Sequence, residues 1–266
     1  MEPREMILLL SGTSEGRLLS GRLRAEGLPF VASVTTPEAR QLFAMLDPAP
    51  EVLITRFSCD ALASFLRERA ISAILDATHP FAHRISEKAI QAGAQEHIPY
   101  VRYERPSGGL SGGADELLVV PTIEAAASAC LEHGTRIFLT TGTKTLQMFR
   151  EVMVRKFVMA RILPTVASLS QALEAGLLSA RILALRGPFS QALEHALLQE
   201  YRIDLLVTKD SGAAGGLDTK LQAAAALHIP AVVVSRPPLH YPNLCTDLEQ
   251  AVQTVIALMG EGVKHG

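Results

Sequence analysis

The feature that most constrains the fold is a regular alternation of short apolar runs with amphipathic stretches. Near-continuous apolar runs of four to six residues, for example at 6–10 and 30–34, are typical of strands buried on both faces of a parallel sheet. The stretches between them, such as 15–26 and 190–200, place apolar residues three and four positions apart, as surface helices do. Strands that alternate with helices predict an α/β fold with right-handed crossovers.

The chain also repeats itself. The pattern HIPxVxxxRP at 97–106 recurs at 228–237, 131 positions later. Either two α/β units reuse similar turn chemistry, or the chain consists of two related parallel-sheet half-domains, which we prefer. We place the halves at 1–125 and 126–266, with a last helix at about 248–259. Because ligands of open α/β sheets bind beyond the carboxyl ends of the strands, we expect a cleft between the halves.

Composition excludes several classes of protein. With 20% charged residues, a net charge of −2 and no Trp, the chain has no basic footprint or stacking platform for nucleic acid. The opening apolar run is too short for a membrane span or a signal sequence. Three scattered cysteines form neither a metal-ligand spacing nor a disulfide framework, which favours the cytoplasm.

The loop after the first apolar run has the composition of a phosphate-binding turn. Gly12 lets a phosphate approach the backbone, Thr13 and Ser14 offer hydroxyls, and the helix that follows presents free N–H groups. The full G-x-G-x-x-G fingerprint is absent, so an ordinary capped turn is the alternative. Glu15 is equally explained as an acid favoured in the first turn of a helix.

The end of the second strand bears on the choice of coenzyme. An acid near this point holds the ribose of NAD, whereas an arginine holds the 2′-phosphate of NADP. Here the hydroxyls of Thr35 and Thr36 come first, followed by both Glu38 and Arg40. The choice between NADH and NADPH therefore stays open.

The stretch 76–84 follows the fourth strand, and the stretch 100–106 forms or follows the fifth. His79 could donate a hydrogen bond to a coenzyme or move a proton, although a capping Thr78 and a structural histidine are equally consistent. On an extended strand Tyr103 and Arg105 share one face, and Arg102 and Glu104 share the other. Arg105 could bind a carboxylate beside the Tyr103 ring. The alternative is an Arg–Glu pair on the surface.

The second half brings cations to its strand ends. Residues 208–216 contain a lysine, an aspartate and three glycines, and such a loop can wrap an anion with N–H groups. A flexible glycine-rich connection is the alternative. Lys144, Arg161 and Arg186 follow or end other apolar runs of this half. This arrangement suits a dinucleotide together with a multiply carboxylated partner.

Seven motifs in one order carry a family resemblance. They are LSGTSE at 10–15, DATHPFA at 76–82, RYERP at 102–106, TTGTK at 140–144, RILP at 161–164, GPFS at 187–190 and TKDSG at 208–212. This ordered set resembles the precorrin-6A reductase family of corrin biosynthesis over about residues 6–240. The chain departs from the pattern after Pro106, where Ser-Gly-Gly replaces a bulky aromatic residue.

The resemblance implies two Rossmann-like half-domains, the first for the nicotinamide coenzyme and the second for contacts to macrocycle and coenzyme. It implies that NADPH or NADH reduces a ring double bond of precorrin-6A, or of its cobalt complex, to the corresponding precorrin-6B, with no flavin and no protein-bound metal. The stretches 33–40 and 208–216 slightly favour the cobalt branch. The partner is thus a small tetrapyrrole, not nucleic acid or a membrane, and monomer or homodimer is left open.

Residue chemistry and resemblance together give the predicted site. The catalytic candidates are Lys209, Asp210 and His79, with Lys209 ranked first as proton donor and solvent as a further possibility. The coenzyme-binding candidates are Gly12, Thr13, Ser14, Glu15, Thr35, Thr36, Arg40, Ala77, Thr78, Pro80 and Phe81. The substrate-binding candidates are Tyr103, Arg105, Gly142, Thr143, Lys144, Arg161, Arg186, Ser211 and Gly212.

Two other functions remain as alternatives. A Rossmann-type dehydrogenase or epimerase of a small hydroxy substrate commonly uses a Tyr-x-x-x-Lys pair, and no Tyr here is followed by Lys four positions later. A non-enzymic tetrapyrrole carrier would bind the macrocycle without turnover.

Overall fold

The computed structural model describes residues 6–44, 46, 48–107, 116–212 and 215–262. The chain divides into two compact units: unit 1 comprises Met1–Arg105 and Pro238–Gly266, and unit 2 comprises Pro106–Pro237. In unit 1 the elements are β1 (Met6–Leu10), α1 (Ser14–Ala25), β2 (Phe30–Val34), α2 (Pro37–Ala44), β3 (Glu51–Ile54), α3 (Cys59–Glu68), β4 (Ile71–Asp76), α4 (His83–Gln95), β5 (Tyr100–Tyr103), β12 (Leu244–Cys245) and α10 (Leu248–Gly262).

Unit 2 has a matching set of elements. They are β6 (Leu117–Val120), α5 (Ile123–Glu132), β7 (Arg136–Leu139), a 3-10 helix (Thr143–Phe149), α6 (Arg150–Arg155), β8 (Phe157–Ile162), α7 (Val166–Glu174), a short 3-10 helix (Ser179–Arg181), β9 (Ile182–Ala184), α8 (Gln191–Glu200), β10 (Leu205–Lys209), α9 (Leu217–Ala226) and β11 (Ala231–Val234).

Each unit contains one six-stranded parallel sheet. The strand orders are β12-β5-β4-β1-β2-β3 in unit 1 and β6-β11-β10-β7-β8-β9 in unit 2, and the strand pairs are parallel. The predicted α/β fold of two parallel-sheet halves is therefore confirmed. Strand order reverses between β1 and β4 and again between β7 and β10, which is where such sheets bind ligands.

Helices cover both faces of the unit 1 sheet. The core on one face gathers side chains of α1 and α10, for example Leu19 and Val255. The core on the other face gathers side chains of α3 and α4, for example Leu62 and Ala89. Coverage on both faces explains why strands such as β1 are apolar along nearly their whole length.

The predicted repeat is visible as equivalent strand order and equivalent turns. His97 and His228, which open the repeated pattern, follow α4 and α9 with φ of 56° and 55°. In both turns the next residue returns a backbone hydrogen bond to its helix, from Ile98 N to Gly93 O (2.8 Å) and from Ile229 N to Ala224 O (2.9 Å). The same left-handed turn thus leads into β5 and β11.

The unit boundaries differ from the division at residue 125. Strand β6 pairs with β11 of unit 2, with Leu117 opposite Ala231. Strand β12 pairs with β5 of unit 1, and Val252 and Val255 of α10 lie in the core of unit 1. Hydrophobic burial therefore assigns the C-terminal helix to unit 1 and not to the second half.

Candidate active site

The turn between β1 and α1 is built as a tight cradle. Thr13 caps α1, since its Oγ1 accepts from Gly16 N (3.3 Å) and donates to Ala77 O at the end of β4 (2.9 Å). A Cβ on Gly16 would stand 1.9 Å from Ser11 Oγ. Ser11 is buried, and its Oγ has no hydrogen-bond partner within the described part of the chain. The helix thus begins close against β1, and Thr13 and the Glu15 carboxylate accept hydrogen bonds from two of its first N–H groups.

Glu15 and Arg105 form an ion pair beside this turn. Arg105 Nη1 lies 2.6 Å from Glu15 Oε1, and both side chains are about nine-tenths buried. Ser14 Oγ also donates to Glu15 (3.0 Å). Burial alone would raise the pKa of Glu15, but Arg105 and the hydrogen bonds hold it below the ordinary value. A predicted coenzyme residue and a predicted substrate residue therefore bind each other within unit 1.

A small pocket brings many of the unit 1 candidates together. Tyr103, buried in the strand, contributes its ring to the wall, and burial together with Glu15 raises the pKa of its hydroxyl. The pocket is lined by Thr13, Glu15, Ala77, Thr78, Pro80, Arg102, Tyr103, Glu104 and Arg105.

Asp76, the last residue of β4, holds side chains that line or lie behind the pocket by hydrogen bonds to its carboxylate. Its carboxylate is fully buried and accepts hydrogen bonds from Thr78 N and Oγ1 (2.9 and 2.7 Å), Ser86 Oγ (2.6 Å), Tyr100 OH (2.6 Å) and Arg102 Nη1 (2.9 Å). Burial opposes ionisation, but Arg102 and these donors hold the pKa of Asp76 below its ordinary value. The carboxylate is therefore a charged structural centre with its hydrogen bonds used inside the protein.

Arg102 and Glu104 share a face, as the strand periodicity predicts. Arg102 Nε and Nη2 donate to Glu104 Oε2 at 3.2 and 3.0 Å. The pair is not on the surface, however, because the Arg102 side chain is only 1% exposed. Its guanidinium lies over the Tyr241 ring (5.3 Å to the centroid), and that ring stacks on Tyr100.

Other unit 1 candidates lie at two further places. At the end of β2, Thr35 and Arg40 are exposed, and Thr36 Oγ1 accepts from Ala39 N at 3.2 Å. After β4, Phe81 N donates to His79 Nδ1 at 3.1 Å, and the two rings lie 5.9 Å apart. Gly12, with φ of 149°, begins the turn into α1.

In unit 2, the loop after β10 has a similarly close approach of a serine and a glycine, although β10 corresponds to β4 and not to β1 in the strand order. A Cβ on Gly215 would stand 2.0 Å from Ser211 Oγ, much as a Cβ on Gly16 would stand 1.9 Å from Ser11 Oγ. Gly212, in the same loop, has a φ of 67°. Lys209 ends β10 half-buried, and burial, followed by the nearby Lys144, lowers its pKa to about 8. Residues 213–214 of this predicted loop lie outside the described residues, as do 108–115, which include most of the Ser-Gly-Gly departure.

Asp210 is engaged by its neighbours. Ser107 Oγ donates to it (2.9 Å), Gly212 N donates to it (3.3 Å), and Arg236 Nε lies 3.3 Å from its Oδ2. Arg236 Nε also donates to the Asp210 carbonyl (3.2 Å). These contacts fix the shape of the loop that carries Lys209.

Arg161 belongs to a buried charge cluster. Its Nη1 lies 2.8 Å from Glu194 Oε2 on α8, and its guanidinium lies 4.6 Å from the Phe189 ring centroid. Lys220, on α9, is 6% exposed and donates to Gly215 O (2.9 Å). Burial, and then the charge of Arg161, lowers the pKa of Lys220 to about 8.

The remaining unit 2 candidates are at the 3-10 helix and before α8. Gly142 precedes the 3-10 helix with φ of 86°. Thr143 Oγ1 donates to Gln171 of α7 at 2.8 Å. Lys144 and Arg186 are exposed.

Sequence reasoning missed Asp76, Arg102, Glu104 and Lys220 as parts of the site. For Asp76 and Arg102 the available signal was an ionisable residue in an otherwise apolar strand, since charged groups there are paired when buried. Glu104 follows β5 and Lys220 lies on α9, so neither carries this signal. Among the described residues, no three His, Cys, Asp or Glu side chains cluster so as to hold a metal ion. Within the same residues, no helix has the length and apolar character required to cross a bilayer.

Two parallel sheets with a reversal of strand order, each followed there by a tight serine–glycine turn, define a Rossmann-like α/β protein. A family model described as "Precorrin-6x reductase CbiJ/CobK" matches residues 6–256, and the chain belongs to this family. Its members are oxidoreductases that act on CH–CH groups, and so is this protein. The predicted family and enzyme class are confirmed, which removes the non-enzymic carrier from the alternatives.

Individual relatives agree with the family model. A cobalt-precorrin-6A reductase of Priestia megaterium is 35% identical over 254 residues, which cover 94% of this chain and 98% of the relative. A precorrin-6A reductase of Rhodococcus erythropolis is 37% identical over 234 residues, 88% of this chain and 90% of the relative. The solved structure of CobK precorrin-6A reductase matches with a TM-score of 0.78 and 28% identity, over 96% of this chain and 97% of that one.

Proposed function

We propose that this protein reduces one ring double bond of precorrin-6A, or of its cobalt complex, with a reduced nicotinamide coenzyme bound by unit 1. The observation that carries the coenzyme assignment is the cradle of Ser11 and Gly16 at the start of α1. A buried Ser11 hydroxyl with no partner among the described residues, a glycine with no room for a Cβ and the N-terminal end of a helix fit a pyrophosphate. Thr13 and Ser14 add hydroxyls at the same turn.

When bound, the nicotinamide supplies the hydride. The task of the chain is then to hold the coenzyme and to bring the macrocycle within about 3–3.5 Å of it. The tetrapyrrole carries several carboxylates, and Lys144, Arg161 and Arg186 of unit 2 remain the proposed contacts, with Tyr103 and Arg105 of unit 1. Because Arg161 is already paired with Glu194, we assign the exposed Lys144 and Arg186 the larger direct share.

The reduction also requires a proton on the second carbon of the double bond, and we propose Lys209 as its donor. With a pKa of about 8, Lys209 is mostly protonated at neutral pH, and its ammonium group is a stronger acid than that of an ordinary lysine. Asp210, which Arg236 and Ser107 hold, and His79 remain the second and third candidates.

As the preferred substrate we propose the cobalt complex. The support is the Priestia megaterium relative, a cobalt-precorrin-6A reductase that aligns over 94% of this chain. The Rhodococcus erythropolis relative, named a precorrin-6A reductase, makes the metal-free compound the second candidate.

The test incubates the purified chain with each macrocycle and with NADPH or NADH. The expected result is loss of reduced-nicotinamide absorbance matched by a change in the macrocycle spectrum, fastest with the cobalt complex. Oxidation of the coenzyme with a small carbonyl substrate, unaffected by added tetrapyrrole, would instead support the dehydrogenase alternative. Binding of the macrocycle without turnover under all four conditions would refute the proposed reaction.

A further inference from the structure

The pocket of unit 1 contains a carboxylate that belongs to the RYERP motif but is not among the predicted site residues. Glu104 lines the pocket together with Thr13 and Thr78. Its side chain is 14% exposed, so it is shielded from bulk solvent without being sealed off. A carboxylate in a coenzyme pocket accepts hydrogen bonds and donates none.

Buried groups fix the orientation of this carboxylate. Arg102 donates two hydrogen bonds to Glu104 Oε2, and its Nη1 donates to Asp76 Oδ1 at 2.9 Å. The Tyr241 hydroxyl also hydrogen-bonds to Glu104. A fully buried Asp76 therefore holds Arg102, and Arg102 and Tyr241 together hold Glu104.

The position in the sheet selects one half of the coenzyme. In dinucleotide-binding folds the pyrophosphate lies at the first strand–helix turn and the adenosine ribose at the end of the second strand. Glu104 directly follows β5, and β5 and β4 lie on the opposite side of β1 from β2. The nicotinamide half, with its carboxamide N–H₂ and ribose hydroxyls, therefore falls on the side of Glu104.

We infer that the Glu104 carboxylate accepts a hydrogen bond from the nicotinamide half of the coenzyme, and that Asp76 and Arg102 are positioning residues for it. This inference rests on the proposed function. It explains why the chain buries an arginine completely at this place, since burial of Arg102 is costly unless its charge is paired and its donors are used.

The test is fluorescence titration of NADPH and NADH into the wild type and into Glu104→Gln, with far-UV circular dichroism as the check of folding. A hydrogen bond to a charged group contributes about 1.5–3 kcal/mol, so we expect coenzyme affinity to fall about 10-fold or more. Glu96→Gln is the matched control, because Glu96 pairs with Arg67, has a similar side-chain exposure of 13% and lies at the end of α4 outside the pocket. It should bind the coenzyme as the wild type does.

A second titration identifies the donor on the coenzyme. The reduced 3-acetylpyridine analogue replaces the carboxamide N–H₂ with a methyl group. If the carboxamide is the donor, the wild type discriminates against the analogue, and Glu104→Gln and Asp76→Asn lose this discrimination. If discrimination persists unchanged in Glu104→Gln while affinity falls, the ribose hydroxyls are the donors. Loss of discrimination in Asp76→Asn is a result that a purely structural role would not produce.

Wild-type affinity in folded Glu104→Gln would overturn the inference while leaving the proposed function intact. Failure of the wild type to bind either coenzyme would instead refute the proposed function. If Glu104→Gln does not fold, Tyr241→Phe serves in its place, because it removes one hydrogen bond to Glu104 and keeps the ring that lies under Arg102. We then expect a 3- to 10-fold loss of affinity, and unchanged affinity overturns the inference.

Discussion

Two glycines of α1 allow the packing of the turn between β1 and α1, where we propose that the coenzyme binds, to be tested directly. A Cβ on Gly16 would meet Ser11 Oγ at 1.9 Å and Ser11 Cβ at 2.7 Å, whereas a Cβ on Gly21 would meet nothing within 4 Å. Both substitutions to alanine gain helix propensity, up to about 1 kcal/mol. Because this gain is common to both, the difference between the variants isolates the overpacking cost. Ser11 is buried and cannot turn into solvent, so we expect that cost to be about 1–3 kcal/mol.

Urea unfolding followed by far-UV circular dichroism is the assay, and Gly21→Ala is expected to be more stable than the wild type. Gly16→Ala should be less stable than Gly21→Ala by the amount above and should bind NADPH or NADH more weakly, because the turn must move to admit the methyl group. Adding Ser11→Gly to Gly16→Ala removes the closest contacts and should restore most of the lost stability. Equal stability of Gly16→Ala and Gly21→Ala would refute the tight cradle.

Three further predictions concern protonation. With Lys209 as the proton donor at a pKa of about 8, turnover should fall as pH rises above 8, and Lys209→Met should lose both this limb and most of the rate; a flat wild-type profile would contradict the assignment. Lys220 has a pKa of about 8 in the fold and an ordinary value of 10.5 outside it, so the unfolded state binds more protons between these values and stability should rise with pH there, by up to about 3 kcal/mol. Lys220→Met should reduce that rise in a denaturation series from pH 7 to 10 and leave the part that comes from Lys209, whose pKa is lowered to the same value. An unchanged rise would exclude Lys220 as a source. The pKa of Glu15 is lowered, so the stability from its pair with Arg105 is complete above about pH 4.5 and is lost as pH falls through the lower folded pKa; Arg105→Gln should remove this acid-side loss in the same measurement.

Short apolar runs were sufficient to predict nearly every strand, because the central strands are buried on both faces. The edge strands β3, β6 and β9 are partly exposed but remain mostly apolar. The predicted runs at 6–10 and 30–34 coincide with β1 and β2. The missed strand, β12, has only two residues and pairs at the edge of its sheet. Two residues carry no periodicity, so only the tertiary pairing defines this strand.

Most of the predicted candidates lie at or just after strand ends, and the structure gathers about half of those of the first half around one pocket. Sequence reasoning did not find the network behind it, because its members come from distant parts of the chain. Tyr241 lies beside Arg102 only after the C-terminal segment returns to unit 1. Spacing on one strand correctly placed Arg102 and Glu104 on one face, but burial depends on what packs over that face. The sequence pattern alone therefore could not separate a surface pair from a buried one.

The return of the C-terminal segment to unit 1 also explains why the sequence repeat does not extend to the sixth strand of each sheet. In unit 2 the sixth strand and its helix, β6 and α5, precede the first central strand β7. In unit 1 the corresponding β12 and α10 come last in the chain, yet β12 pairs with β5 as β6 pairs with β11. The two units are thus related by a circular permutation of one strand and one helix. A constant offset detects the five strands that keep their order and cannot detect the sixth. A division of the chain at its midpoint consequently assigns the final helix to the wrong core.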